Sequence, residues 1–362
     1  MKYGSKKLIC ASPSPYSNGL SLASQKVILD MVRFSSDFSF EPIFLGQRNS
    51  VSGIVQYYLT MIMAWHKADV ILTIYPYICM NLRRNYLFRK LESLLINRLN
   101  RHAFSILYVV DLPIERSVVD GALSDEEYRG ACEIERHVFK SFDVLLVFNE
   151  DMKREICDKY NFSDDKFVLF EVLDYGADII PRKNFNFEKP LRVAFLTSNL
   201  NQERSSWISE IPSSENVTYS FFGINGEWIN GLNRKDIKYE GVIPPAKAPG
   251  ILEKFHFGII YYNLALENYL KYGSTSKFSA YMAANLPVLC PSKLSYLSSL
   301  IHKYGVGICY DSLNDIPKCL ESIDKKLYGK IKENCAKLGE KVRHGYFIKK
   351  ALKIALQKTG LT

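Results

Sequence analysis

Residues 270–290, LKYGSTSKFSAYMAANLPVLC, place a lysine at the start of an apolar helical pattern. Ser274, Thr275 and Ser276 are residue types that cap helix N-termini, so Lys277 falls in the first helical turn. The helix dipole favours an anion at this end and disfavours a cation. We therefore predict that the loop hydroxyls, the backbone N–H groups and Lys277 bind the diphosphate of a ligand. The alternative is an exposed lysine that binds no ligand.

Asp111 is the candidate for proton transfer, because it ends the apolar run ILYVVD. Aspartate is uncommon in strands, and α/β active sites collect at the carboxyl ends of parallel strands. A carboxylate here could take a proton from an attacking hydroxyl. The structural alternative is a cap of the turn at Leu112 and Pro113. Glu115 and Arg116 follow closely and are candidates for contacts with an acceptor.

Two loops after strand-like runs carry further polar candidates. Arg204 and Asn199 follow the run LRVAFLTS, and Arg204 is a second candidate cation for a diphosphate or an ordinary solvated charge. The loop SPSPYSNGLS is not a G-x-G-x-x-G fingerprint. Its Asn18 and Gly19 could still shape the acceptor side of a site, although a glycine before a helix is commonly a simple turn.

The elements that must position these residues alternate between strand and helix. Short apolar runs typical of buried parallel strands are KKLICAS, EPIFLG, ADVILTIY, FSILYVVD, FDVLLVF and KFVLFEVL, followed by LRVAFLTS, VTYSFFG, FGIIYYN, PVLC and VGICY. Helical patterns fall at 21–34, 51–65, 81–102, 124–140 and 150–160. A stretch with Gly176 and two prolines predicts a linker at 175–189. The fold class is α/β, with two Rossmann-like doubly wound parallel-sheet domains facing a cleft.

The segment YGSTSKFSAYMAANLPVLC resembles the nucleotide-binding segment of GT-B glycosyltransferases, with Met282 and Asn285 in place of the usual Leu and Gly. Asn285 suits this position because asparagine tolerates the left-handed conformation. FSILYVVDLPIERS and FDVLLVFNEDMKREI resemble segments of bacterial enzymes that transfer galactofuranose or glucose to sugar acceptors. The predicted linker divides the chain into domains at 1–175 and 190–340, and the final helical pattern predicts a C-terminal helix at 341–362 that crosses back toward the first domain. The resemblance implies that the first domain binds the acceptor and the second the nucleotide-sugar.

The resemblance also implies the chemistry. A hexose (galactofuranose, galactose or glucose) would pass from a UDP-sugar to a saccharide acceptor in cell-surface polysaccharide synthesis, with inversion and without a metal or other cofactor. The donor-binding residues would be Lys277, Arg204, Ser274, Thr275, Ser276, Tyr272, Asn199, Val242 and Ile243, with Asp111 as the base. Val242 and Ile243 lie in YEGVIPP, where such enzymes hold the nucleoside base by main-chain contacts.

Composition limits the alternatives. The chain has 362 residues, a formal net charge of +9 and 47% hydrophobic residues, which indicates a globular protein of two domains and falls short of a nucleic-acid-binding signature. Eight cysteines without a C-x-x-C pair, and no secretion signal or membrane span, predict a cytoplasmic protein. Residues 81–102, NLRRNYLFRKLESLLINRLNRH, read as a basic amphipathic helix that either rests on anionic lipid at the inner membrane face or is an ordinary surface helix.

Two other functions fit the same fold pattern. The first is a non-catalytic partner subunit of a glycosyltransferase complex, in which case the donor site would have degenerated. The second is a nucleotide-sugar epimerase, which would carry a cluster of His and Glu, whereas the 6 histidines here are scattered. The acceptor could be a saccharide or a lipid-linked saccharide. The sequence leaves the oligomeric state open, a homo-oligomer included.

Overall fold

The computed structural model describes residues 6–15, 21–46, 50–77, 86–179, 181, 187–262 and 266–360. The chain forms two compact units. Unit 1 runs to Leu173 and includes the final segment from Tyr346, and unit 2 comprises Asp174–Gly345 together with Ser21–Ala23.

Unit 1 is built on a six-stranded parallel sheet with the order β2-β1-β3-β4-β5-β6. Its strands are β1 (Leu8–Pro13), β2 (Glu41–Leu45), β3 (Val70–Tyr75), β4 (Phe104–Val109), β5 (Val144–Val147) and β6 (Phe167–Leu169). The central strands β1, β3 and β5 are buried along their whole length, which explains their nearly continuous apolar sequences. The edge strand β2 is largely exposed.

Helices cover this sheet. They are α1 (Leu22–Ser35), α2 (Val51–Lys67), α3 (Tyr86–Leu99), α4 (Pro113–Val119), α5 (Asp125–Ser141), α6 (Glu150–Tyr160) and the C-terminal α14 (Tyr346–Gln357), with 3-10 turns at Ser36–Phe38 and Asp164–Lys166. Local signals set several boundaries: Ser124 and Glu127 form a capping box at the start of α5, and Asn149 caps α6. Helix α14 belongs to unit 1, where Lys349 pairs with Asp37.

Unit 2 is built on a second six-stranded parallel sheet, with the order β12-β11-β10-β7-β8-β9. Its strands are β7 (Leu191–Asn199), β8 (Val217–Ile224), β9 (Ile237–Gly241), β10 (Phe257–Ile259), β11 (Val288–Pro291) and β12 (Gly307–Tyr310). The prediction of two doubly wound parallel sheets is confirmed. The sequence reading missed β9, because this edge strand alternates buried and exposed residues and carries the exposed Lys238–Glu240 ion pair (3.0 Å), so it shows no apolar run.

The helices of unit 2 are α7 (Gln202–Ser205), α8 (Ala248–Leu252), α9 (Glu267–Leu270), α10 (Ser276–Ala283), α11 (Ser295–Tyr304), α12 (Ile316–Glu321) and α13 (Lys325–Arg343), with 3-10 turns at Ser206–Glu210, Glu227–Leu232, Pro245–Lys247 and Leu313–Asp315. The core packs Phe195, Phe221 and Phe257 from the strands against Trp207 and Tyr328. At the start of the predicted linker, Tyr175 packs within unit 2: its N–H donates to Val342 O (3.1 Å) and its hydroxyl to Pro245 O (2.7 Å).

Candidate active site

The amine of Lys277 lies over two aromatic rings of unit 2. It is 3.9 Å from the centroid of the Tyr262 ring and 5.2 Å from that of Phe195. Phe195 belongs to β7, and Tyr262 follows the end of β10. The half-buried Lys277 therefore places its charge beside the carboxyl end of β10 and next to Phe195 in the middle of β7, and the negative ring faces stabilise a cation that the helix dipole opposes.

Helix α10 begins as the sequence indicates. Thr275 is the N-cap, and its hydroxyl accepts a hydrogen bond from the Phe278 N–H (3.3 Å). The first turn contains no acidic residue, so its free N–H groups and Lys277 share one positive end. Asn285 adopts the predicted left-handed conformation just after the helix, with φ of 52°. Ser274 is buried beside the cap, and Ser276 is half-buried at the first helical position.

A buried tyrosine fixes α10 against the sheet. The hydroxyl of Tyr281 accepts a hydrogen bond from the Leu196 N–H (3.0 Å) and donates to the Ile259 carbonyl (2.9 Å). A Cβ at Gly258 would lie 2.7 Å from the Tyr281 ring, so only glycine gives the ring room to lie against β10. Tyr281 thus locks the helix that carries Lys277 to both β7 and β10.

The other end of α10 is held by α13. The guanidinium of Arg343 donates to Ala283 O (2.8 Å) and to Asn285 Oδ1 (2.7 Å), and Lys332 donates to Asn285 O (2.8 Å). These bonds satisfy carbonyl groups that a helix C-terminus leaves without partners. A Cβ at Gly339 would lie 2.2 Å from the Met282 carbonyl, so glycine allows the close approach. The sequence reading found none of these contacts, because the partners are distant in sequence.

Sheet topology brings the candidate donor residues of unit 2 to one edge. Strands β7 and β10 are neighbours, and the chain leaves them toward opposite sides of the sheet, since β8 and β9 lie on one side and β11 and β12 on the other. In doubly wound sheets, ligands bind at such a switch point beyond the carboxyl ends of the strands. Lys277 and Tyr262 come after β10, and Asn199 and Arg204 end or follow β7.

Arg204 and Asn199 differ in their surroundings. Arg204 lies exposed in α7. The Asn199 Oδ1 accepts hydrogen bonds from the Asn201 N–H (2.9 Å) and the Asn225 side chain (3.1 Å), so Asn199 shapes the loop that leads to Arg204.

The remaining predicted donor residues also lie at the ends of elements in unit 2. Val242 is exposed and Ile243 is buried, directly after β9, which is two strands away from β7. Tyr272 is buried, and the Lys271 amine lies 5.0 Å from the centroid of its ring.

In unit 1, Asp111 lies two residues after β4, at the carboxyl edge of the sheet. Burial raises the pKa of its carboxyl to about 6, although the charge of Arg116 and a hydrogen bond from the Leu112 backbone lower it. The Asp111 side chain keeps part of its surface accessible to solvent. Tyr77 interacts electrostatically with Asp111 and forms a hydrogen bond with Ser24, and burial raises the pKa of Tyr77 to about 12.

The two acceptor candidates after Asp111 already have partners. Glu115 pairs with Lys159, and both side chains are mostly buried. Lys159 also lies 4.0 Å from the buried Glu135, which accepts hydrogen bonds from the hydroxyls of Tyr75 and Tyr160. The exposed Arg116 lies 3.8 Å from Asp120 on the same helix. Glu115 is thus part of a structural network beneath the sheet edge, which the sequence did not indicate.

Some candidates lie outside the described residues, namely Asn18 and Gly19 of the acceptor loop and Arg83 and Arg84 of the basic segment. Among the residues that the structure describes, no group of three or more His, Cys, Asp or Glu could hold a metal ion. The same residues contain no helix with the length and apolar character needed to cross a bilayer.

Comparison with known proteins adds the family relationship. Residues 194–355 match the family model described as "Glucosyltransferase 3-like, C-terminal domain". The chain is 24% identical over 237 residues to beta-1,6-galactofuranosyltransferase WbbI of Escherichia coli (strain K12), which covers 63% of this chain and 67% of that protein. It is 36% identical over 76 residues to Glucosyltransferase 3 of Streptococcus gordonii, but this match spans only 21% of this chain and 22% of that protein.

The fold has close counterparts among solved structures. An alpha-glucosyltransferase (AGT) in complex with UDP superposes with a TM-score of 0.61 over 97% of this chain and 100% of its own, at 10% sequence identity. At this identity the likeness concerns the fold. The chain therefore has the GT-B fold, is a homologue of bacterial glycosyltransferases, and carries a glucosyltransferase 3-like C-terminal domain over residues 194–355.

Proposed function

We propose that this protein transfers a hexose from a UDP-sugar to a saccharide acceptor, and that Lys277 binds the diphosphate of the donor. The observation that carries the proposal is the position of Lys277 in the first turn of α10, with its amine beside the carboxyl end of β10 and over the rings of Tyr262 and Phe195. An ammonium, the free N–H groups of α10 and the hydroxyls of Ser274 and Ser276 suit two phosphates. A UDP-bound fold neighbour and the named relatives support the choice of a nucleotide sugar.

In the proposed reaction, Asp111 acts as the base. Its carboxylate takes the proton of the acceptor hydroxyl while that oxygen forms a bond to the anomeric carbon. The bond from this carbon to the diphosphate oxygen breaks, and UDP leaves with the electron pair. Attack from the face opposite to the leaving group inverts the anomeric configuration. Lys277, Arg204 and the N-terminus of α10 would balance the charge of the leaving diphosphate without a bound metal.

The acceptor in this proposal is a growing saccharide of the cell surface, either free or linked to a lipid. A lipid-linked acceptor requires contact with the membrane, which we assign to the segment 81–102 as part of the proposal. The sequence of this segment combines basic residues with leucines, a composition that favours anionic lipid surfaces.

Isothermal titration with UDP tests the donor site. Lys277→Met should weaken UDP binding by about tenfold or more, because one charge-assisted contact contributes roughly 1.5–3 kcal/mol. Lys303→Met is the matched control, since Lys303 also lies over a tyrosine ring of unit 2, 5.2 Å from the centroid of Tyr304. A screen of UDP-hexoses for transfer or hydrolysis tests the reaction. A wild-type protein that binds no nucleotide and turns over none of these sugars would instead fit the non-catalytic partner subunit.

A further inference from the structure

Exposed apolar side chains concentrate on two helices of unit 1. Of the nineteen large apolar residues exposed among the described ones, nine lie on α2 and α3. These helices have 17 and 14 residues, so the concentration is far above that of scattered surface residues. The nine are Val51, Val55, Leu59 and Met63 on α2, and Tyr86, Leu87, Phe88, Leu91 and Leu94 on α3.

The exposed residues form stripes at helical spacing. On α2 they recur every fourth residue from Val51 to Met63, and their exposed fractions range from 53% to 80%. On α3, Leu87, Leu91 and Leu94 share one side, while the side that faces the protein buries Arg89, Glu92 and Ser93 together with Ile96 and Leu99. The prediction that 81–102 forms a basic amphipathic helix is therefore wrong at Arg89, whose side chain is buried. The outward face of α3 is mainly apolar.

The two helices run parallel, side by side. Tyr57 of α2 donates a hydrogen bond to Glu92 of α3 (2.9 Å), and Trp65 of α2 donates to Asn100, directly after α3 (2.6 Å). Both pairs are separated by 35 positions, so the two helices run in the same direction. Helix α2 connects β2 to β3 and α3 connects β3 to β4, and both connections cross the sheet in the same direction. Because crossovers between parallel strands are right-handed, the two helices lie on the same face of the sheet. Their outward stripes therefore form one surface, here called the two-helix face.

The exposed charged residues on α2 and α3 themselves are all basic. The outward residues of α2 and α3 include the exposed Lys67 and Arg98, and Arg101 follows directly. None of these three cations takes part in an ion pair among the described residues. The acid of the two helices, Glu92, is buried. Among neighbouring acids, Asp69 lies 3.7 Å from Lys6 and Glu133 lies 3.3 Å from Lys90.

We propose that the two-helix face lies on an anionic lipid bilayer, with its apolar stripes among the acyl chains and its cations at the headgroups. Apolar stripes with exposed cations at the C-terminal ends of both helices match the chemistry of an interfacial membrane surface. A second copy of the chain fits less well, because a two-fold contact through this face would bring Lys67, Arg98 and Arg101 of both copies together, whereas the neighbouring acids Asp69 and Glu133 already pair with lysines. The inference deepens the proposed membrane contact and rests on that part of the proposed function, but its test does not use sugar transfer.

Flotation with vesicles tests the proposal. The probes are vesicles of phosphatidylcholine alone and of phosphatidylcholine with about one third phosphatidylglycerol. We expect the wild-type protein to float with the anionic vesicles, and Leu59→Ser combined with Leu91→Ser to reduce binding by about tenfold or more, because two leucines no longer enter the apolar layer. The matched control is Leu327→Ser combined with Ile354→Ser, which alters two exposed apolar residues on other helices (44% and 38% exposed, against 54% for Leu59 and for Leu91) and should bind as wild type.

Three results would overturn the proposal. One is wild-type protein that does not bind anionic vesicles. Another is unchanged binding of the Leu59/Leu91 variant to anionic vesicles, which would show that charge alone holds the protein on the lipid. The third is a wild-type oligomer that dissociates in the Leu59/Leu91 variant without any vesicle binding, which would identify a second copy as the partner. Titration with UDP on the same variants separates this inference from the donor proposal, because both leucines lie in unit 1 and should leave UDP affinity unchanged.

Discussion

The Lys277 amine lies 3.9 Å from the centroid of the Tyr262 ring, so a cation at a helix N-terminus rests on an aromatic face at the end of the neighbouring strand. The ring contacts one side of the ammonium and leaves its other N–H donors to a ligand. A cation–π contact at a half-buried site contributes about 1 kcal/mol. The ring therefore both compensates for the helix dipole and limits where the charge can move, which is what a preorganised phosphate site requires.

Tyr262 should act as a positioning residue for the donor. Tyr262→Leu should weaken UDP binding by about 3- to 10-fold, because Lys277 would lose the contact that holds its amine. Tyr262→Phe keeps the ring face and should bind UDP as wild type does. Isothermal titration of both variants measures this. If Tyr262→Leu binds UDP more tightly, the ring competes with the ligand for Lys277, and the positioning role is refuted.

Tyr281 should couple stability to donor binding. Tyr281→Phe removes the hydroxyl that joins Leu196 and Ile259, which should lower the free energy of unfolding by about 1–3 kcal/mol and also weaken UDP binding. Tyr310→Phe is the control, since this buried tyrosine donates to Ile260 O (3.1 Å) and makes no described hydrogen bond to α10. Both variants should be less stable in urea, but only Tyr281→Phe should lose UDP affinity. Equal losses of affinity would show that α10 is not the element affected.

Asp111 should control the pH dependence of transfer. Its pKa of about 6 means that the carboxylate needed as a base is lost as the pH falls through 6, so kcat/KM should drop about tenfold per pH unit below that value. Asp111→Asn should abolish transfer while UDP binding in unit 2 stays intact. Transfer by the Asn variant at a rate near that of wild type would exclude Asp111 as the base.

Asp111 should make stability fall as the pH rises through the range in which it makes activity rise. In the unfolded chain the carboxyl titrates near pH 4, and in the folded chain near pH 6, so between these values the folded state binds more protons. Stability is therefore lost as the pH rises from about 4 to about 6 and stays lower above that. Asp111→Asn should raise the free energy of unfolding at pH 8 by about 1–3 kcal/mol and have little effect at pH 3.5. Urea unfolding at both pH values tests this.

The side chain of Arg343 should contribute more to the free energy of unfolding than that of Asn285, to which it donates a hydrogen bond. Arg343→Ala leaves the Ala283 carbonyl and Asn285 without their donor and should cost about 2–3 kcal/mol. Asn285→Gly keeps the left-handed turn, since glycine adopts φ of 52° without strain, and should cost under about 1 kcal/mol. The double variant should cost less than the sum of the two, because both remove the same contact. Additive costs in urea unfolding would show that the two residues act independently.

Much of the fold was predictable from local patterns. Strands such as β3 and β4 are buried on both faces, so their apolar runs identify them without any knowledge of neighbours. Thr275 and Asn285 bound α10 through caps that depend on a few adjacent residues. The edge strand β9 was not predicted, because its exposed residues alternate with more buried ones and leave no apolar run.

The sequence by itself determined that two parallel sheets form, where α10 begins and ends, and that Lys277 lies in its first turn. Only the tertiary structure decided that Lys277 meets Tyr262, that Tyr281 binds Leu196 across 85 positions, and that Glu115 pairs with Lys159. It also decided that α3 buries Arg89 and turns its leucines outward. Caps and periodicity are encoded within one or two helical turns, whereas partners distant in sequence depend on how whole elements pack.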